Sequence, residues 1–140
     1  MLTHLKRPRS FPKYAISIRQ PWAELILRRE KSAEFRLWRL PERYWNQWLW
    51  LHTPVAMGRK EKEAASRIFG PLTLPLGGFI GRVRFGRPLW DKTPNEGKPY
   101  IAWPCCWYWP VTGAERTAFT PAKGKQRIFA VELFGDEKWD

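Results

Sequence analysis

Apolar and polar positions alternate along this chain with two periods, and the switches between them mark its elements. From Tyr14 to Ile18 the period is two, with Tyr14, Ile16 and Ile18 on one side and Ala15 and Ser17 on the other, which predicts a short strand. Pro21 suits the first turn of a helix, where its missing N–H leaves nothing unpaired. Trp22, Leu25, Ile26 and Arg29 then follow the i, i+3, i+4, i+7 rhythm of an amphipathic helix ending near Arg29-Glu30. Period two returns from Ser32 to Arg39, with Ala33, Phe35 and Leu37 opposite Ser32, Glu34, Arg36 and Trp38, and again from Trp48 to His52. Ala64 with Ile68 and Ala65 with Phe69 form i, i+4 pairs, predicting a polar helix over Arg59–Phe69 that Gly70-Pro71 ends. Strands are predicted over Phe79–Phe85, over Tyr100–Trp109 with a break at Pro104, and over Arg127–Leu133, with a turn-rich stretch from Trp90 to Lys98. Many short strands with two helices imply an α+β fold, a mixed β-barrel with short helices packed at its ends.

Length adds that this is one domain: 140 residues supply one core and not two. Residues 1–13 are basic and punctuated by Pro8 and Pro12, and read as a flexible arm; residues 14–134 form the domain; residues 135–140 are an acidic tail. Charge changes the picture more. Lys and Arg number 25 against 13 Asp and Glu, a net charge of +12, which attracts polyanions and raises encounter rates. The chain also holds ten Trp. Cations neutralise phosphates and aromatic faces stack bases, so a nucleic acid is favoured over a merely soluble basic surface or a membrane surface. The two Cys, Cys105 and Cys106, are neighbours and poorly placed to bridge each other. Together with His4 and His52 they lack the spacing of a zinc site, so no metal or cofactor is expected. A reducing, cytoplasmic setting fits, with no secretory h-region and no apolar stretch near the roughly 20 residues of a membrane span.

Five stretches, taken in order, resemble the ASCH family, a PUA-like group. They are Ser17-Ile18-Arg19-Gln20-Pro21-Trp22-Ala23, Lys31-Ser32-Ala33-Glu34-Phe35-Arg36-Leu37-Trp38, Leu49-Trp50-Leu51-His52-Thr53, Gly78-Phe79-Ile80-Gly81-Arg82-Val83 and Lys123-Gly124-Lys125-Gln126-Arg127-Ile128-Phe129. The resemblance spans residues 14 to 133 and implies a PUA-like β-barrel associated with RNA. It also implies relatives that hydrolyse N4-acylated cytidine nucleosides, and a branch associated with ribonuclease activity. The hydrolase pattern wants a lysine, matched by Lys31, and a threonine three residues on, where this chain has Glu34.

The candidate cleft gathers Gln20, Trp22, Lys31, Glu34, Arg36, Trp38, Trp50 and His52, with Arg82, Lys123, Lys125 and Arg127 as phosphate contacts. An amide at residue 20 could read a base edge or close a helix start. Trp22, Trp38 and Trp50 could stack on a base or fill the core. Glu34 and Arg36 share a strand face, either as ligand contacts beside Lys31 or as an ion pair. His52 could titrate near neutrality or serve structure. Lys123, Lys125 and Arg127 surround Gly124, so phosphate could come close to backbone there, unless this is simply a solvated basic turn. Arg84 and Arg87 could extend the track of Arg82. The leading reading is an RNA-binding module holding an unstacked base or nucleotide, and neutralising about four phosphates implies a salt slope near −3. The alternative is an N4-acylcytidine amidohydrolase or a ribonuclease, with Lys31, Glu34 and His52 as catalytic residues. A protein-interaction adaptor using exposed Trp is a third class.

Overall fold

The computed structural model of the protein describes residues 12–91 and 106–131. The arm up to residue 11, the turn-rich stretch from 92 to 98, the first part of the Tyr100–Trp109 strand with Cys105, and the acidic tail lie outside the described residues. The elements are β1 (Tyr14–Ser17), α1 (Trp22–Leu27), β2 (Ala33–Arg36), β3 (Trp48–Thr53), α2 (Arg59–Phe69), β4 (Gly78–Phe85), β5 (Leu89–Asp91), β6 (Cys106–Pro121) and β7 (Ile128–Ala130), with a one-turn 3-10 helix at Glu42–Tyr44.

The seven strands pair in the order β2-β6-β4-β3-β1-β7, with β5 also on β6. β1 and β3 run parallel, and the other pairs are antiparallel. The α+β class therefore holds. The strands form a seven-stranded mixed sheet, and among the described residues no backbone pairing joins its end strands β2 and β7. β6 is the unexpected element. It is 16 residues long, pairs through its first residues with β2 and β5, and continues through Val111–Pro121 along β4. Leu89–Asp91, which overlaps the start of the turn-rich stretch expected from Trp90 to Lys98, is likewise a strand on β6.

β1 and β3 are covered on both faces, so their apolar runs are nearly continuous and not strictly alternating. Ile16, Leu49, Leu51 and Val83 face the main core with the fully buried Trp109 and Phe85. Ala15, Trp50 and Phe79 form a second cluster with Phe129 packed against it. Each such aliphatic side chain contributes about 1.5–3 kcal/mol by leaving water. α1 lies over β4 and β6 with Ala23 through Leu27 all buried. Gly81 permits this approach, because a methyl group there would overlap the Glu115 carbonyl and the Leu27 side chain. The helix carries a carboxylate inward: Glu24 is 3% exposed and pairs with Arg28 at 2.7 Å and with Arg116 from β6. Burial raises the Glu24 pKa, but its bonds to Arg116 and Arg28 outweigh that and hold it below the usual carboxylate range. α2 has the bounds that its apolar pairs predict and buries only Ala64. No helix among the described residues is long and apolar enough to cross a membrane.

Candidate functional site

The parallel ladder of β1 and β3 ends at the pair Ser17 and His52. The chain leaves β6 at Pro121 and returns over these ends through Ala122–Arg127 to β7. Between this return loop and the strand ends lies an open cleft of about 1040 Å³. Ser17, His52, Arg36, Trp38 and Arg19 line it on one side, and Lys123, Lys125, Gln126 and Arg127 on the other. Among the described residues its lining includes five cations and no carboxylate.

His52 is fixed at the base of this cleft. A register shift between Leu51 and His52 on β3 interrupts the ladder with β4 beside it, a device that re-aims a side chain. Nε2 lies 2.8 Å from the Ala122 carbonyl, which can only accept, so Nε2 carries the proton. Nδ1 then accepts from the Ser17 hydroxyl at 3.0 Å. Gly124 packs directly on the ring, where any Cβ would overlap the imidazole. Burial pushes the His52 pKa down, against the weaker opposing effect of the Ala122 carbonyl, so the ring is neutral at pH 7. A neutral imidazole bonded to a hydroxyl through its unprotonated nitrogen can remove that proton.

Behind the wall lies a buried ionic triad. Glu34 is 6% exposed; its Oε1 accepts from Lys31 Nζ at 3.1 Å and its Oε2 from Arg36 Nε at 2.7 Å. Lys31, 3% exposed, also donates to the Ala33 carbonyl. Burial raises the Glu34 pKa, and the charges of Lys31 and Arg36 overcome this and hold it below its ordinary value. The third member reaches forward. Arg36 Nη2 donates to the Ser17 carbonyl at 3.0 Å, tying edge strand β2 to β1, and its guanidinium forms cleft wall.

Of the residues singled out from the sequence, Arg36, Trp38, His52, Lys123, Lys125 and Arg127 meet at the cleft. The others stand elsewhere. Gln20 is wholly buried with its amide fully used, Oε1 accepting from Glu24 N–H at 2.8 Å and Nε2 donating to the Pro75 carbonyl at 3.1 Å, so it clasps the start of α1. Lys31 and Glu34 sit beneath the lining, where each satisfies the other's charge. Trp22 is half-buried against the main core. Trp50 is in the second cluster, its Nε1 donating to the Pro12 carbonyl at 3.1 Å. Arg82 lies on β4 over the Trp48 ring and pairs with Glu115, because its strand face carries it away from the return loop. Ser17, Arg19 and Gln126 belong to the cleft although sequence reasoning did not select them; all three fall within the stretches quoted above. Arg127 adopts a left-handed backbone (φ 59°), uncommon for a large side chain, and its guanidinium lies 4.8 Å from the Trp38 ring.

No protein-family model and no curated protein sequence matches this chain. Solved structures do. The ASCH protein of Zymomonas mobilis superposes with a TM-score of 0.55 at 12% identity, covering 89% of this chain and 91% of that one. A point variant of the same protein gives a TM-score of 0.54, also at 12% identity, covering 91% and 93%. At that identity the likeness speaks for the fold, and it agrees with the five stretches that pointed there from the sequence: this chain is a single domain with the ASCH fold.

Proposed function

We propose that the cleft binds single-stranded RNA, holding an unstacked base against Trp38 while its phosphates engage the return loop. The observation that carries this is the distribution of charge around one aromatic wall. Arg19 and Arg36 are matched by Glu61 and Glu34. Lys123, Lys125 and Arg127 have no carboxylate partner among the described residues, so their charge is available to a ligand. The volume lies at the upper end of small-ligand pockets, and the cleft is open, which suits a strand better than an enclosed nucleoside. Gln126 offers an amide for a base edge. A PUA-like barrel with β2 and β1 adjacent at its seam is the fold-level form of this reading, supported by the Arg36 bond to β1.

Fluorescence anisotropy with a labelled trinucleotide of uridine tests it. Contacts to its two internucleotide phosphates give a slope of log affinity against log salt near −1.4. Neutralising Lys123 and Lys125 together should remove most of that slope. Absence of binding at 50 mM salt would overturn the reading.

A second reading, a hydrolase of N4-acylated cytidine or of RNA, is favoured by one observation: the Ser17 hydroxyl donates to a neutral imidazole at the cleft base. Lys31 would first have to leave Glu34 and the Ala33 carbonyl to act as a base. Incubation with N4-acetylcytidine, and separately with labelled RNA, decides it, since turnover lost in His52→Ala and retained in Lys31→Met would support this pair.

A further inference from the structure

A second set of cations and indoles stands apart from the cleft lining. On β6, Trp107 is the register partner of Arg36, so it begins beside the cleft wall. Trp90 on β5, 47% exposed, meets Trp107 edge to face with centroids 5.2 Å apart. The Arg39 guanidinium lies 5.6 Å from the Trp107 ring and 4.8 Å from the Trp45 ring. Arg87, two residues beyond the end of β4, lies 5.7 Å from the Trp45 ring. The order is indole, indole, guanidinium, indole, guanidinium. The Trp45 indole is held in place by its Nε1 donating to the Leu40 carbonyl at 2.8 Å. Arg39 and Arg87 are exposed, and among the described residues neither has a carboxylate partner. Glu42 is the sole acid between residues 39 and 48.

We infer that this row is a second contact track for single-stranded nucleic acid, leading from the Arg36 wall of the cleft to the far end of β4. The inference rests on the reading of the cleft as an RNA site and extends its footprint. A guanidinium lying on an indole is held in place by the ring while its N–H edge stays free for phosphate. Indole faces between such cations accept bases of any sequence. An acidic peptide would satisfy the cations but leave the aromatic faces without a role, and a lipid surface would call for an apolar face in place of this alternation. The far end of the track is well separated from the cleft: β4 begins beside it and spans eight residues, roughly 25 Å at the rise of a strand. A mononucleotide or trinucleotide cannot occupy both; a longer strand can.

The test compares fluorescein-labelled uridine oligomers of three and fifteen nucleotides by anisotropy between 50 and 300 mM salt. Arg39→Gln/Arg87→Gln should leave trinucleotide affinity within twofold and make the fifteen-mer salt slope shallower by about 1.4. Trp90→Ala, at an exposed position, should weaken the fifteen-mer roughly 5- to 140-fold if one base stacks there. If the fifteen-mer is indifferent to both changes while Lys123→Gln/Lys125→Gln weakens both oligomers, the track is refuted and the cleft stands. If only the track variants matter, the cleft reading falls and the track survives. Failure of the wild type to bind either oligomer overturns both. Displacement of the fifteen-mer by polyglutamate at equal charge concentration would show a polyanion surface without stacking, and would overturn the nucleic-acid assignment.

Discussion

Replacing Glu34 by Gln tests whether the Lys31–Glu34–Arg36 group serves the fold or the chemistry. The carboxylate is nearly solvent-free and holds one cation on each oxygen. A glutamine keeps the shape, removes the charge, and turns an NH2 donor toward one of two donors. Breaking a buried ion pair by removing one partner costs about 3–5 kcal/mol, because the remaining charge is left without compensation. Arg36 retains partial access to water and its bond to the Ser17 carbonyl, so it can relax; Lys31 cannot. The lower end, about 3 kcal/mol, is therefore expected, a fall of roughly 10 °C in Tm for a domain of this size. Lys31→Met leaves Glu34 paired with Arg36 and should cost less. The double variant should cost less than the two singles combined, with a coupling of about 0.5–3 kcal/mol. The sign with pH is fixed. Because the folded Glu34 pKa is below its unfolded value, its contribution is complete above the ordinary glutamate pKa and fades as pH falls through the folded one. The gap between wild type and Glu34→Gln, read from urea unfolding by tryptophan fluorescence, should thus narrow in acid. Additive single effects, or a gap unchanged from pH 7 to pH 3, would refute this account.

Gln20→Ala should lower stability by about 1–3 kcal/mol, since it leaves a buried N–H and a buried carbonyl unpaired, yet leave trinucleotide affinity unchanged; urea titration and anisotropy check the two halves. Gly124→Ala drives a methyl into the His52 ring and should cost about 1–3 kcal/mol while weakening RNA binding through displacement of the return loop, measured by the same two assays. His52 binds its proton more weakly folded than unfolded, so its contribution to stability is full above about pH 6.5 and declines as pH falls from there toward the folded pKa. His52→Gln should flatten the urea midpoint in that window, and an NMR titration of the imidazole should place its folded pKa below that of an unfolded peptide.

The parts of the fold that were legible are those in which local pattern and burial coincide. α2 shows one apolar stripe against solvent, and its bounds were readable from the Ala64/Ile68 and Ala65/Phe69 pairs. β1 and β3 were found although both of their faces are covered, because their runs are short and bounded. The half of β6 from Val111 to Pro121 was missed. Its side chains are mostly exposed or half-buried, and it is held by backbone pairing with β4, which leaves little trace in hydropathy. For the site, period two placed Glu34 and Arg36 on one face correctly, but it cannot tell how deep along that face each group lies. Arg36 emerges at the cleft, while Glu34, two residues earlier, is buried beside its register partner Trp109. Gln20 was ambiguous for a related reason: whether an amide reads a ligand or closes a helix depends on Pro75, 55 residues away.

The net charge of +12 is not spread evenly, and its unevenness gives the surface its meaning. Carboxylates are used first where burial demands them: Glu24 takes up Arg28 and Arg116, and Glu34 takes up Lys31 and Arg36. Glu61 restrains Arg19 at the cleft rim, and Glu115 restrains Arg82 on the sheet. With 13 acids for 25 bases, each acid committed to such a pair leaves cations unmatched elsewhere. Among the described residues, those without a carboxylate partner include Lys123, Lys125 and Arg127, where the chain crosses the ends of two parallel strands, and Arg39 and Arg87 around Trp45. An unmatched cation on a flexible stem is ordinary surface. On the proposed RNA reading, unmatched cations set against indoles that the core holds in place preorganise the contact, since the ordering cost has already been met during folding. On the proposed reading, Lys31 and Glu34 serve the site from beneath its lining: they anchor β2, β2 positions Arg36 in the cleft wall and leads into Trp38, and Arg127 lies over the Trp38 ring.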